Sequence, residues 1–433
     1  MRDYALFVVL GVMMLLSAAR PLIGLGTWSW LSYMSPHRLA YGFAHNASVV
    51  QPIAAITAIT LLFNWKDRMR WRWTPVTTLW VLFVLWITCT WPFALYRDLA
   101  EPEAMRSVKL QLMTLATYFI VKDRRSIHAM VWVAAMSIGF YGFKGGVFTI
   151  ATGGRYLVWG PEGSFLAGNN EIALALTMIM PLLWYLWRQV DGKWAKRALA
   201  AGFLLCLASV LASYSRGAYL AIAAMLGAIW WRSDRKWLGA GFVVIAAMLA
   251  FGLMPEKFTE RVDSIADYKE DASAMGRINA WQFATNVALD HPVMGGGYGV
   301  FNRDAFRRYA PDPERFHDAH SIYFEVLGEH GFVGLALFLG FAGFAFLETQ
   351  RIRKAAREDP EKLWAFDLVT ALQASGIAYA VGGAFLGLAY LDLPYQLVAL
   401  AVLAGRVALP DAKEIELSKP PLTAAERRRL RTS

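Results

Sequence analysis

Long apolar runs alternate with short polar connections along most of this chain. Most of the runs are about 17–25 residues long, which is the length that a helix needs to cross a bilayer. The pattern therefore predicts an all-α polytopic membrane protein. We expect about twelve spans, at residues 4–24, 46–63, 75–95, 108–121, 127–143, 170–187, 198–214, 217–231, 237–254, 321–347, 364–390 and 393–409.

One long polar segment, residues 255–320, interrupts this pattern. Inside it, Met275, Ile278, Trp281 and Ala284 recur at helical spacing, so we predict an amphipathic helix that lies on the membrane surface with its apolar face down. We expect one integral membrane domain, 1–410, in which 255–320 forms a helical cap. Residues 411–433 are basic and poor in apolar side chains, so we expect a disordered tail there.

Composition and charge placement agree with the membrane prediction. The chain has 433 residues, is 57% hydrophobic and is 18% charged, whereas soluble domains are about 25% charged. One set of short connections is rich in Lys and Arg, so the positive-inside rule places both termini in the cytoplasm. The net charge of +10 is then mainly a topology signal that favours contact with membrane lipids, and nucleic-acid binding is not expected.

This topology puts the cap on the outer side, which is the periplasm for a bacterial inner membrane. No ATP is present there, so any reaction needs a substrate that is already activated and carried by a lipid. The two cysteines lie in apolar runs and form no metal-binding spacing.

Two arginines are candidates for anion binding. Arg216 lies between two apolar runs, where a charge is costly unless it snorkels to headgroups, pairs or binds a ligand. Arg277, on the predicted amphipathic helix, is either a solvated charge or a phosphate ligand. Two converging arginines, with the hydroxyl of Tyr214 nearby, could hold a pyrophosphate without a metal.

Histidines and glutamates at the start of the tenth predicted span are the next candidates. His320 lies at the polar boundary, where it is either a general base or an interfacial side chain without a role in the chemistry. His317 lies three residues earlier, but no further ligand is evident, so no metal site is expected. Glu325 and Glu329 share a helix face and suit either a structural ion pair, the orientation of a base, or a solvated surface.

The glycine-rich run 295–299, which contains Tyr298, is a weak signal. It lacks the Lys-Ser/Thr ending of a P-loop. It is either a flexible turn or a loop whose N–H groups line a phosphate or sugar pocket.

Taken together, these motifs resemble the O-antigen ligase / O-antigen polymerase superfamily. The resemblance rests on Ser215-Arg-Gly217, Gly276-Arg277 with Trp281, Pro292 to Gly297, His320-Ser-Ile-Tyr323 and Glu329-His-Gly331. Residues 271–278 and 327–332 are similar to the ligase branch, which includes exosortase-associated O-glycosylation ligases. Ser321 stands where the family commonly has Asn, which puts an Asn-assisted contact in doubt.

The resemblance implies a glycosyltransferase C-like fold and a metal-independent, inverting glycosyltransferase without a cofactor. It would move a glycan from undecaprenyl pyrophosphate to a sugar hydroxyl of lipid A–core oligosaccharide, in lipopolysaccharide biosynthesis. His320 would be the catalytic base, and Arg216 and Arg277 would bind the pyrophosphate. An O-antigen polymerase and a protein O-oligosaccharyltransferase are the nearest alternatives, and a transporter of lipid-linked sugars is a more distant one.

Overall fold

The computed structural model describes residues 2–232 and 272–410, and these residues form helices and connections without a strand. We number the α-helices in chain order. They are α1 Arg2–Ala19, α2 Pro21–Met34, α3 Val50–Phe63, α4 Pro75–Thr90, α5 Arg97–Ile120, α6 Arg124–Thr152, α7 Asn169–Gln189, α8 Lys193–Leu211, α9 Arg216–Arg232, α10 Ala272–Asp290, α11 Arg303–Tyr309, α12 Ile322–Ala356, α13 Leu363–Gly382 and α14 Asp392–Ala408.

The fold class is confirmed as an all-α polytopic membrane protein. Within the described ranges, 7 helical segments are long and apolar enough to cross a membrane: Arg2–Ala19, Pro75–Phe93, Arg124–Thr152, Asn169–Gln189, Lys193–Leu211, Ile322–Ala356 and Pro360–Phe385. The count of twelve spans stays a prediction. The predicted span 237–254, the first part of the cap and the tail 411–433 lie outside the described residues.

Three helices differ from the predicted spans. The first predicted span is divided into α1 and α2, because Arg20 is extended and Pro21 starts a new helix. Helix α5 begins at Arg97 instead of residue 108, so several charged residues are helical. Helix α12 is broken at Gly331, where φ is +67°. A short arm, 322–330, therefore precedes the long part of α12.

The helices share one large apolar core, and a smaller second core holds the cap. Helix α7 is buried along most of its length, with α6, α8 and α13 packed around it. In the cap, α10 buries Ala280, Phe283, Ala284 and Val287 against Phe306 of α11 and neighbouring residues. The helix itself is as predicted, but the predicted apolar face is wrong. Of Met275, Ile278, Trp281 and Ala284 only Ala284 is buried, and the face that is buried packs against protein.

Candidate functional site

Helix α10 positions the segment that carries His320. The indole N–H of Trp281 donates a hydrogen bond to the carbonyl of Ala319 at 3.0 Å, and its ring stacks on Phe324 at 5.1 Å. Asn279 also attaches this segment to α10, because its amide donates to the carbonyls of Asp312 and Arg315 at 2.8 and 3.0 Å. Helix α10 therefore fixes the backbone before His317 and between the two histidines.

Gly276 allows the first of the two histidines to approach α10. A Cβ built on Gly276 would lie 1.9 Å from Cδ2 of His317, so the imidazole occupies the space that a side chain would need. The rings of His317 and His320 are 5.8 Å apart. His317, a weaker candidate from the sequence, thus packs between α10 and His320.

His320 has an unusual backbone conformation. Its φ is +41°, and only Ser35 and Tyr214 share a positive φ among the other non-glycine residues of the described chain. Such a conformation costs on the order of 1–3 kcal/mol and persists only where the surroundings enforce it. Here the hydrogen bond from Trp281 holds the preceding carbonyl. Strain of this kind is common at functional sites.

The environment of His320 favours its neutral form. Burial of the ring lowers the pKa of His320 below its ordinary value, the positive charge of Arg277 lowers this pKa further, and His317 adds a smaller effect in the same direction. The carboxylate of Asp318 opposes these effects by raising the pKa. A neutral imidazole can accept a proton, which is what a general base requires.

Arg277 acts electrostatically on Glu171 as well as on His320. Glu171 is in the first turn of α7, where its carboxylate curls back over the helix start: a Cβ on Gly168 would lie 1.9 Å from its Oε2. Two residues earlier, the amide of Asn169 donates to the carbonyl of Ser213 at 2.8 Å. The start of α7 therefore connects the surroundings of Arg277 with the turn that precedes Arg216.

Arg216 is the first residue of α9, directly after a tight turn. Tyr214, with φ +53°, reverses the chain, and its hydroxyl donates to the carbonyl of Gly154 at 2.6 Å. The hydroxyl of Ser215 accepts a hydrogen bond from the N–H of Ala218 at 3.3 Å. Tyr214 and Ser215 thus shape the turn and the helix start that place Arg216.

The connection between α13 and α14 contacts both the start of α9 and His320. A Cβ on Gly217 would lie 3.3 Å from Cβ of Phe385, and one on Gly387 would lie 3.7 Å from the backbone nitrogen of His320. Two independent series of contacts, one through α7 and one through this connection, thus bring Arg216, Arg277 and His320 into one region.

The glycine-rich run has a structural role. The N–H groups of Gly296 and Gly297 donate to the carbonyls of Gly328 and Glu329, each at 2.8 Å, and the N–H of Gly299 donates to the Glu103 carboxylate at 3.0 Å. These groups are not directed at a phosphate or sugar, so that alternative is wrong. Through these hydrogen bonds, the run holds the short arm of α12 in place.

Tyr298 belongs to the same packing. Its side chain is buried, and its ring lies 4.7 Å from that of His330 and 5.4 Å from that of Tyr390. The weaker candidate from the sequence is therefore part of an aromatic cluster behind the short arm.

Glu325 and Glu329 attach the short arm to the α13–α14 connection. Glu329 accepts a hydrogen bond from the hydroxyl of Tyr390 at 2.6 Å, and Glu325 accepts one from the N–H of Ala389 at 2.9 Å. A position on a solvated surface, which was one alternative predicted from the sequence, is wrong for Glu329 because its side chain is buried. Both carboxylates hold the element that begins two residues after His320.

Charged residues that the sequence reasoning missed also lie near this region. Arg106 lies over the ring of Phe165 at 3.1 Å and interacts electrostatically with Glu103 and Glu325. No sequence signal singled out Arg106, because basic residues directly before an apolar run are common at membrane boundaries. Across the described ranges, no group of three or more His, Cys, Asp or Glu side chains is arranged to hold a metal ion.

Comparison with known proteins gives two matches to family models. Residues 201–339 match the model described as O-antigen ligase, and residues 1–191 match one described as a family of unknown function (DUF5935). No curated protein matches the chain. The region that matches the O-antigen ligase model contains Arg216, Arg277 and His320.

Proposed function

We propose that the chain is an O-antigen ligase, since residues 201–339 match the family model described as O-antigen ligase. The proposed reaction transfers a glycan from undecaprenyl pyrophosphate to a sugar hydroxyl of lipid A–core oligosaccharide. The observation that carries this proposal is the strained backbone of His320 at φ +41°, next to a carbonyl that Trp281 holds from the same helix that carries Arg277.

In the proposed mechanism, His320 accepts the proton of the acceptor hydroxyl. The oxygen then attacks the anomeric carbon, the bond from that carbon to the pyrophosphate oxygen breaks, and the configuration inverts. Negative charge grows on the departing pyrophosphate, and Arg277 and Arg216 stabilise it because fixed cations in a water-poor site act strongly on developing charge. The chemistry needs no metal ion for this step.

An apolar cavity supports a donor with a long lipid chain. It has a volume of about 200 Å³ and lies between α12, α13 and α14. Its lining begins at Ile322 and Tyr323, just after His320, and continues along α12 to Thr349. The amide of Gln373 donates to the hydroxyl of Thr349 at 2.8 Å, so these polar side chains satisfy each other and the cavity suits a polyprenyl chain.

The proposed orientation follows from the charges of the connections. Both termini face the cytoplasm of a bacterial inner membrane, and the region around His320 faces the periplasm. The energy for transfer then comes from the pyrophosphate bond of the donor, because no ATP is available on that side.

The test uses purified full-length protein and a lipid-linked glycan, with transfer measured separately to lipid A–core, to a second lipid-linked repeat and to a pilin-like protein. We expect transfer to lipid A–core, and His320→Ala should abolish transfer but retain donor binding. His291→Ala is the matched control, since His291 lies fourteen residues from Arg277, or about 20 Å along the helix axis.

Each other outcome contradicts part of the proposal. Transfer only to a lipid-linked repeat indicates a polymerase, and transfer only to protein indicates a protein O-oligosaccharyltransferase. Unimpaired transfer by His320→Ala removes the histidine from the mechanism. Movement of the donor across the membrane without any glycan transfer indicates a transporter.

A further inference from the structure

Glu103 and Arg106 lie three residues apart on α5, before the apolar part of that helix begins. Both side chains are exposed. Opposite charges at this spacing lie on the same face of a helix and attract each other. Each of the two groups acts electrostatically on the other, yet no ion pair joins them in the described part of the chain. Other contacts must therefore keep the carboxylate and the guanidinium apart.

A different partner holds each of the two charged groups. Glu103 accepts a hydrogen bond from the N–H of Gly299 at 3.0 Å. The guanidinium of Arg106 lies over the ring of Phe165, 3.1 Å from its centroid. Phe165 belongs to the loop 160–167, which a backbone hydrogen bond of 3.0 Å between its first and last residues closes. An acceptor and a donor are thus held separately on one exposed helix face.

This pair on α5 lies beside the segment that carries His320. Glu103 interacts electrostatically with Asp318, two residues before the histidine. Arg106 interacts in the same way with Glu325, five residues after it. The pair is therefore near both ends of the short segment that contains the proposed base. The two arginines proposed to bind the pyrophosphate belong to α9 and α10, so the pair on α5 approaches the base from a different helix.

Glu325 gives the closest geometric link between the pair and the base. A Cβ on Gly387 would lie 3.7 Å from a carboxylate oxygen of Glu325 and also 3.7 Å from the backbone nitrogen of His320. The two groups therefore border the same small space above one glycine. A molecule that contacts Arg106 can for this reason reach the surroundings of the histidine.

Two buried hydroxyl groups accompany the pair. Ser107 follows Arg106 in the sequence, and Tyr298 precedes the glycine whose N–H holds Glu103. The hydroxyl of Tyr298 interacts with Ser107 and with the carboxylate of Glu103. Neither hydroxyl, however, completes a hydrogen bond of ordinary length to any described residue. Buried polar groups without a partner are rare, so a polar ligand, or water that it holds in place, is expected to complete this region.

The chemistry of the pair suits a sugar better than an ion. Charged side chains on an exposed helix face often contact only water, but these two are held apart by specific contacts. The carboxylates of Glu103, Asp318 and Glu325 disfavour a phosphate, because like charges repel. A carboxylate accepts hydrogen bonds and a guanidinium donates them. A sugar hydroxyl both donates and accepts, so neighbouring hydroxyls of one sugar can satisfy both groups.

We propose that Glu103 and Arg106 bind hydroxyl groups of the acceptor sugar and thereby orient it beside His320. Glu103 accepts a hydrogen bond from one hydroxyl, and Arg106 donates to a neighbouring oxygen of the same sugar. A further hydroxyl is then presented to the base. This inference rests on the proposed transfer reaction and adds the residues that recognise its acceptor. Neither side chain exchanges a proton or forms a bond in the reaction.

The test measures initial rates of transfer by the purified full-length protein, with lipid A–core and the donor varied in turn. We expect Glu103→Gln and Arg106→Gln each to raise the KM for lipid A–core about fivefold, because each loses a charge-assisted hydrogen bond to the sugar. The kcat and the donor KM should stay within about twofold. Binding of lipid A–core without donor, measured by microscale thermophoresis, should weaken by a similar factor.

Two variants on the same helix are matched controls. Arg97 is exposed and lies nine residues from Arg106, about half a turn out of phase, and Glu101 is exposed and lies about 200° around the helix from Glu103. Arg97→Gln and Glu101→Gln should transfer glycan like the unaltered protein. Arg106→Lys keeps a charged donor and should raise the acceptor KM only about twofold, and it replaces Arg106→Gln if that variant does not purify folded.

Distinct results would overturn the inference. An unchanged acceptor KM in both Gln variants would exclude the pair and leave the proposed reaction standing, whereas no transfer by the unaltered protein to any acceptor would contradict the reaction itself and this inference with it. A rise in the donor KM alone would assign the pair to the donor. An effect that disappears with dephosphorylated lipid A–core would show that the ligand is a phosphate and not a hydroxyl.

Discussion

Replacement of Trp281 by Phe tests whether α10 holds His320 in its reactive position. Phe keeps an aromatic ring that can stack on Phe324, but it removes the N–H that donates to the carbonyl of Ala319 at 3.0 Å. Ala319 is only 3% exposed, so water cannot easily replace the lost donor. The main change is therefore the loss of one hydrogen bond adjacent to the proposed base, although the phenyl ring is also smaller than the indole.

The expected size of the effect follows from that bond. A neutral hydrogen bond contributes about 0.5–1.5 kcal/mol net, and a buried acceptor left without a donor costs about 1–3 kcal/mol. The positive φ of His320 stores a similar amount of strain, so loss of the bond lets this backbone relax. If the lost hydrogen bond raises the activation free energy by about 1.4 kcal/mol, kcat falls about tenfold.

The assay measures initial rates of glycan transfer against donor concentration. We expect kcat of Trp281→Phe to fall about tenfold while the KM for the donor stays within about twofold, because the arginines are untouched. Trp194→Phe is the matched control, since Trp194 is 79% exposed and belongs to α8. A folded Trp281→Phe protein with an unchanged kcat would refute the reasoning.

Three more substitutions test the surroundings of His320. Arg277→Gln removes a charge that lowers the pKa of His320, so this pKa should rise and the acid limb of the pH–rate profile should move to higher pH. Glu171→Gln removes a negative charge that attracts Arg277; if this attraction contributes about 1 kcal/mol, its loss should raise the donor KM about fivefold. Gly276→Ala places a Cβ 1.9 Å from the His317 ring and should lower kcat at least tenfold, although alanine favours the helix itself.

Each of these three outcomes has a clear contrary result. An acid limb that stays in place or moves to lower pH would show that Arg277 does not act on the base. A donor KM that falls in Glu171→Gln would show that this carboxylate competes with the donor instead of positioning the arginine. Full activity of Gly276→Ala would show that the packing of His317 is not required. Circular dichroism and melting temperature check that each variant is folded.

The sequence by itself determined the fold class and the candidate residues. The length of an apolar run predicts a membrane helix because a bilayer has a fixed thickness, so each predicted span in the described residues contains helix, although the first is divided at Arg20. Arg216, Arg277 and His320 were singled out because charged or titratable groups at membrane boundaries are costly and need a reason. The helical part of the cap around Arg277 was predicted from its periodicity.

Only the tertiary structure decided how these residues are held. The bond from Trp281 to Ala319 spans 38 residues, that from Asn169 to Ser213 spans 44, and that from Gly299 to Glu103 spans 196. Periodicity reports which side of a helix is buried, but not which partner it meets. For this reason the sequence alone could not decide whether the glycine-rich run is a turn or lines a ligand pocket. It also did not predict the break at Gly331.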